Sequence, residues 1–225
     1  GTVLPLHNQH VVPCSSHLTG DRRDSAKIDN PKDSIALLPY TGGATGLSKG
    51  EVLTHGNVAG NAQHIAAALA YLHEKDQIFV GVLPFFHVYG LNTCLILPTL
   101  FHAKVLPITR YVPSELLAVM KKHQATVLPG APAMYISLLQ QKNKDKFSLE
   151  SLNFCICGSA PMPVEMMRQF EQAFGARISE GYGLSEASPI THLSPPLGTR
   201  KVGSIGLPLP GTEARIVDME LGTVP

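Results

Sequence analysis

Residues 40–50, Tyr40-Thr-Gly-Gly-Ala-Thr-Gly-Leu-Ser-Lys-Gly50, hold four glycines, two threonines and one lysine between two short apolar runs, Ile35 to Leu38 and Val52 to Leu53. Glycines let a backbone approach a ligand closely and turn successive N–H groups toward one point. Threonine hydroxyls add donors and Lys49 adds charge. Such a loop suits an anion, and a nucleotide triphosphate tail above all. Two familiar phosphate loops are excluded by spacing. A Walker A loop needs Gly directly before Lys, whereas Ser48 precedes Lys49. The dinucleotide pattern G-x-G-x-x-G fails too, since Gly43 and Gly46 stand three apart with no Gly at the right offset. Taken alone, the segment also reads as a flexible turn.

Four further segments carry residues able to do chemistry. They are Leu83-Pro-Phe-Phe-His-Val-Tyr-Gly90, Gly158-Ser-Ala-Pro-Met-Pro163, Glu180-Gly-Tyr-Gly-Leu-Ser-Glu186 and Gly203-Ser-Ile-Gly-Leu-Pro-Leu-Pro-Gly211. By contrast His7, His10 and His17 stand in an irregular stretch that fixes no geometry, so they read as solvent-exposed rather than as metal ligands. The cysteines Cys14, Cys94, Cys155 and Cys157 do not form a zinc set. The one close pair is C-x-C inside an apolar run, and buried free thiols in a reducing cytosol are expected.

The elements that must position these segments follow from pattern. Residues 1–34 read as an irregular leading segment with one strand near Val11. From Ile35 onward, short apolar runs alternate with helical periodicity. Strands are expected at 35–39, 51–54, 77–82, 103–107, 125–128, 153–157, 177–180 and 213–218, and helices at 56–72, 88–99, 114–123, 131–141 and 163–174. Pro113 and Ser114 open one helix and Lys121, Lys122 and His123 close it. Gly175 stops another. Runs such as Val80 to Leu83 and Phe154 to Cys157 are apolar on both alternating faces, which means strands buried between helix layers. The expected fold is α/β, a layered and largely parallel β-sheet with flanking helices. In such sheets ligands bind beyond the carboxyl ends of strands, so the five segments should follow strands.

Whole-chain properties narrow the function. Lys and Arg total 18 against 17 Asp and Glu, so bulk electrostatic capture of nucleic acid is not expected. With 44% of residues hydrophobic, a sizeable core can form. The longest apolar stretch, Leu91 to Leu100, is too short to span a bilayer, while peripheral membrane contact stays open. A cytoplasmic location is expected, with or without membrane association.

These segments, in this order, resemble the acyl-adenylate-forming (AMP-binding) superfamily of acyl-CoA synthetases, luciferases and peptide-synthetase adenylation domains, over roughly residues 35–218. The combinations Thr-Gly-Gly-x-Thr-Gly, Tyr-Gly-Leu-Ser-Glu-Ala-Ser-Pro189 and Gly-Ser-Ile-Gly-Leu-Pro-Leu-Pro-Gly look most like bacterial-type long-chain fatty acid CoA ligases. The resemblance implies that 35–225 are the central part of a large AMP-binding domain. It also implies ATP, Mg²⁺ and CoA as the small molecules used and a fatty acid as substrate. It assigns the ATP phosphates to Thr41, Gly42, Gly43, Ala44, Thr45, Gly46 and Lys49. Gly158, Ser159, Ala160 and Pro161 would lie against adenine, and Tyr182, beside Gly183, would stack on it. Ser185 would donate to the α-phosphate, Glu186 would bind Mg²⁺, and His87 would stand near the incoming carboxylate. Val88 to Leu100 and the turn Leu128 to Tyr135 would line the acyl pocket, with Gly130 and Ala131 leaving room for an alkyl chain.

Each role has a plainer alternative: a solvated lysine, a packed tyrosine, an exposed glutamate, a structural histidine. Ala44 departs from the usual Ser or Thr of the family loop and removes one phosphate donor, worth about 1 kcal/mol or somewhat more. The ribose-binding Asp, the hinge and the C-terminal lysine of the family have no counterpart among these residues, so turnover is not expected of residues 1–225 alone. Transfer to a carrier protein, or binding of nucleotide or acyl group without turnover, are the rival functions.

Overall fold

Phe154 and Ile156 pack into one apolar cluster with Phe79, Val127 and Ile190, while Cys155 and Cys157 pack into another with Val80, Leu128 and Ile178. Successive side chains of a strand point to opposite faces, so a strand apolar at every position must have a core on each side. The computed structural model describes residues 30, 32–42, 48–218, 220 and 222. Pro31–Pro225 make up one compact unit. The expected strand near Val11, Cys14 and the three early histidines lie outside the described residues.

The elements run β1 (Ile35–Leu37), β2 (Tyr40–Gly42), β3 (Ser48–Gly50), β4 (Leu53–Thr54), α1 (His55–Ala68), β5 (Ile78–Gly81), α2 (Val88–Leu91), α3 (Leu97–Leu100), β6 (Lys104–Pro107), α4 (Pro113–His123), β7 (Val127–Gly130), α5 (Pro132–Leu139), β8 (Phe154–Cys157), α6 (Val164–Phe174), β9 (Arg177–Gly183), β10 (Ile190–Leu193) and β11 (Leu207–Pro208). A wide π-type turn, Asn92–Ile96, joins α2 to α3 without a break. The main sheet has seven strands in the order β11-β10-β9-β8-β7-β5-β6. Strands β5 to β9 pair in parallel, and β10 and β11 add antiparallel to β9. Residues of α1 and of the α2–α3 passage (Ile65, Leu69, Cys94, Leu97) share the Phe154 cluster. Residues of α4, α5 and α6 (Leu117, Tyr135, Phe170) share the Cys155 cluster.

Local signals explain the helix ends. Thr54 caps α1 by accepting from the Asn57 N–H at 3.1 Å, and the Asn57 side chain accepts from the Thr54 N–H at 3.0 Å, a reciprocal capping box. Helix α4 starts at Pro113, carries its three cations in the last turn and ends on Gln124 at φ 52°. Helix α6 ends on Gly175 at φ 72°.

Five expectations change. Residues 213–218 form no strand: Ile216 is 78% exposed, and no described strand pairs with the segment. Strand β9 runs on to Gly183, because β10, which the pattern did not suggest, pairs back along Gly181 to Gly183. The stretch at Leu128 is the end of β7, not a turn, and α5 follows at once. The room beside Gly130 is filled by the Tyr135 ring, which a Cβ on that glycine would meet at 3.1 Å, so no alkyl space opens there. Finally, the five segments do not all follow strands of the main sheet. Those at 83–90 and 158–163 do, the one at 180–186 begins inside β9, the one at 203–211 contains β11, and the one at 40–50 belongs to a separate two-stranded hairpin, β2–β3.

Candidate functional site

The loops leaving β5 and β8 and the β9–β10 hairpin meet at one end of the sheet. They enclose a cavity of about 230 Å³ lined by His87, Tyr89, Gly158, Ser159, Gly181, Gly183, Leu184, Ser185, Pro189 and Ile190. A second cavity of about 390 Å³ shares Ser159, Gly181 and Gly183 with the first and continues along Ala160, Pro161, Met162, Glu180, Tyr182 and Gly203 to Ile205. The structure thus brings together eight of the expected residues, His87, Gly158, Ser159, Ala160, Pro161, Tyr182, Gly183 and Ser185, in two adjoining spaces.

Close backbone approach aims these groups. A Cβ at Gly90 would stand 2.2 Å from the Pro84 carbonyl oxygen, so glycine lets α2 fold tightly against the loop that presents His87. His87 is exposed, and its Nδ1 accepts from the Tyr89 N–H at 3.1 Å. That bond leaves the proton of the neutral ring on Nε2, which is free to donate outward. A Cβ at Gly183 would stand 1.9 Å from the Pro189 carbonyl oxygen, so glycine permits the β9–β10 turn to close. Ser159 lies at φ 73°, a left-handed conformation costly for a non-glycine residue and frequent at functional sites.

The floor is neutral. The Tyr89 hydroxyl donates toward the carbonyls of Ile156 (3.0 Å) and Gly130 (3.2 Å), and burial drives its pKa well up. Burial, then the nearby Glu180 charge, pushes the Cys157 thiol up to about 12, so it is protonated near neutral pH and a poor nucleophile. In the second cavity Tyr182 is 46% exposed, with its ring set edge-on to His192 at 5.9 Å. A half-exposed ring sharing a cavity with Ala160 and Pro161 can stack on a flat aromatic ligand.

Two expected residues stand apart. Glu186 lines a third cavity of about 380 Å³ with Asn57, Asn61, His64, Ser188 and Thr212, beside Ser185 in sequence but not in its cavity. Lys49 is exposed on β3, paired in register with Thr41, and lines none of these three cavities. Gly43, Ala44, Thr45 and Gly46 lie outside the described residues. Among the described residues no three His, Cys, Asp or Glu converge on a point. A lone exposed carboxylate such as Glu186 fits Mg²⁺, which binds through few carboxylates together with phosphate oxygens and water.

Three polar residues were not anticipated. Glu180 accepts from the Met162 N–H at 3.2 Å and ties the 158–163 loop to β9. Asn61 and Asn92, both buried, bond to the backbone at Ser188 and Ile190. A polar residue inside an apolar run was the available signal for Asn92.

The model of the family described as "AMP-binding enzyme" matches residues 6–225. The chain belongs to the AMP-binding enzyme family. It is similar to the long-chain-fatty-acid–CoA ligase of Bacillus subtilis (strain 168), at 42% identity over 196 residues, covering 87% of this chain and 35% of that protein. It is also similar to 4-coumarate-CoA ligase 1 of Narcissus pseudonarcissus, at 29% identity, covering 95% of this chain and 40% of the relative. Among solved structures it matches ATP-bound MatB from Rhodopseudomonas palustris with a TM-score of 0.81 and 31% identity, over 89% of this chain and 39% of that one. The chain therefore spans well under half the length of these relatives. No described helix is long and apolar enough to cross a membrane.

Proposed function

We propose that the full-length protein is an ATP-dependent acid–CoA ligase acting on fatty acids, and that residues 35–225 are the central part of its large domain. The observation that carries this reading is that the His87–Ser185 cavity adjoins the Tyr182 slot, the two sharing Ser159, Gly181 and Gly183 in their walls. One ligand with a flat base at one end and a reacting phosphate at the other would span both. The greater identity to a fatty acid ligase than to a coumarate ligase favours an alkyl acid.

In this reading Gly158, Ser159, Ala160 and Pro161 wall the adenine, Tyr182 stacks on it, and Gly183 lets the β9–β10 turn beside it close. The triphosphate is held by Thr41, Gly42, Gly43, Thr45, Gly46 and Lys49, with Ala44 contributing only its backbone. Ser185 donates to the α-phosphate, and Glu186 holds Mg²⁺, whose chemistry is to offset phosphate charge. His87 donates from Nε2 to the acid carboxylate. A carboxylate oxygen attacks the α-phosphorus, the bond to the β-phosphate bridging oxygen breaks, and pyrophosphate leaves. The thiol of CoA then attacks the acyl carbon and AMP departs. This chain's part is positioning and charge stabilisation rather than proton removal, since a carboxylic acid is already ionised at neutral pH. The unbridged, buried thiols of Cys94, Cys155 and Cys157 support a reducing, cytoplasmic setting.

The test is ATP–pyrophosphate exchange by the full-length protein with hexadecanoate, 4-coumarate and benzoate, followed by CoA-dependent thioester formation. Exchange with hexadecanoate above the aromatic acids is expected. Absence of exchange with every carboxylate would sink the proposal.

A further inference from the structure

The turn between β9 and β10 carries Ser185 and Glu186, yet most of it is not held by strand pairing. Its own bonds are short-range: Leu184 N–H to the Pro189 carbonyl at 3.0 Å, Ala187 N–H to Leu184 at 2.9 Å and Ser188 N–H to Ser185 at 3.0 Å. The far side is held by side chains. Asn61 of α1 donates from Nδ2 to the Ile190 carbonyl at 2.6 Å and accepts from the Ile190 N–H at 3.3 Å, a two-point pairing like that of a neighbouring strand. Asn92 donates to the Ser188 carbonyl at 2.9 Å and lies 3.4 Å from Asn61 Oδ1.

We propose that Asn61 and Asn92 are positioning residues that set the Ser185–Glu186 turn relative to His87, an inference that rests on the ligase reading of the site. Three observations support it. The first is connectivity. Asn92 lies on the helical passage whose first turn His87 caps, and Asn61 lies on the helix that follows the β2–β3 hairpin. One buried amide junction therefore joins the element presenting His87, helix α1, and the turn carrying Ser185. The second is local geometry. Asn92 opens the wide turn Asn92–Ile96, a helical irregularity that recurs at functional sites. The third is cost. Asn92 is fully buried and its Oδ1 has no hydrogen-bond partner. A buried polar atom left unpaired is destabilising, and the amide carries that cost together with its bond to the Ser188 carbonyl.

The test uses the full-length protein with Asn92→Leu, Asn61→Leu and a control, Gln77→Met. Gln77 is another buried amide, bonded to the Leu72 and Lys75 carbonyls near the amino ends of the strands, away from the site. Two readouts are needed: acid-dependent ATP–pyrophosphate exchange against Mg²⁺ concentration, and hydrogen exchange of residues 184–190. Asn92→Leu and Asn61→Leu should fold, lower the exchange kcat about 100-fold, as misplacement of a reacting centre by about 1 Å does, and raise the Mg²⁺ needed for half-maximal rate. The KM for the acid should be unchanged. Protection of 184–190 should fall, whereas Gln77→Met should lower melting temperature and leave kcat alone. Where Asn92→Leu does not fold, Asn92→Ala, which removes the amide without adding bulk or charge, takes its place with the same expectation. Wild-type kcat and Mg²⁺ dependence in folded variants would overturn the proposal. If the unaltered protein shows no exchange, the ligase reading falls instead. The positioning claim is then judged by hydrogen exchange alone, and unchanged protection of 184–190 overturns it.

Discussion

The two halves of the main sheet support the site by different means. In the parallel half, β5 and β8 end in loops that rise directly from a doubly covered core, and His87 and Gly158 to Pro161 take their places from strands whose residues are almost wholly buried. At the antiparallel edge, β9 carries Tyr182 and its turn to β10 carries Ser185 and Glu186, held by glycine-permitted closure and two asparagines. Packing density sets position in the first case, and a few specific polar bonds set it in the second. Core damage should therefore cost stability across the fold, while edge damage should disturb the site in proportion to the bond removed.

The largest effect expected is from Phe154→Ala. Phe154 is fully buried on β8 and edge-on to Tyr71 at 6.3 Å, so the cavity left should cost about 3–5 kcal/mol by denaturant titration. The folded fraction should still bind nucleotide with unchanged affinity. Gly183→Ala should come next, at about 3 kcal/mol, because its Cβ would lie 1.9 Å from the Pro189 carbonyl oxygen and the turn must open. Unlike the Phe154 variant, it should lose nucleotide affinity even when folded. Equal affinity in the two variants would break the contrast between the two halves.

Smaller changes sharpen the same contrast. Tyr89→Phe removes the hydroxyl under the first cavity. The Ile156 carbonyl keeps its bond from Tyr135 and the Gly130 carbonyl keeps the Gly158 N–H, so the loss should be about 1 kcal/mol. The smallest effect near neutral pH belongs to Cys157. Its folded pKa, about 12, stands above the ordinary 9.0, so the unfolded chain loses the proton first as pH rises. Its contribution is complete below pH 9.0 and is lost as pH climbs toward about 12. The unfolding midpoint of Cys157→Ala should accordingly fall less steeply over that window than that of the unaltered protein.

The parallel half was largely legible in the sequence. Its strands are short continuous apolar runs, and its helices carry proline starts, cationic ends and glycine stops at α4 and α6. The fold class and the family could be read from those runs and the five spaced segments. The edge was less legible. Strand β10 was missed because Ile190–Leu193 contains Thr191 and His192, half-buried polar residues that weaken an apolar signal. Residues 213–218 alternate like a strand but have no described neighbour to pair with, and pairing is a tertiary fact that no local pattern carries. Asn61 and Asn92 were invisible as a pair because their meeting at Ser188 and Ile190 joins residues about a hundred positions apart. Gly130 was misread because a glycine leaves space only when no neighbour, here Tyr135, fills it.

The central claim is that one nucleotide spans the two adjoining cavities. It is tested most directly by photolabelling the full-length protein with 2-azido-ATP and mapping the modified residues by mass spectrometry. Labelling within 158–162, at Tyr182 or within 203–205, suppressed by excess ATP, is the predicted result. ATP-suppressible labelling confined to other parts of the protein would contradict it.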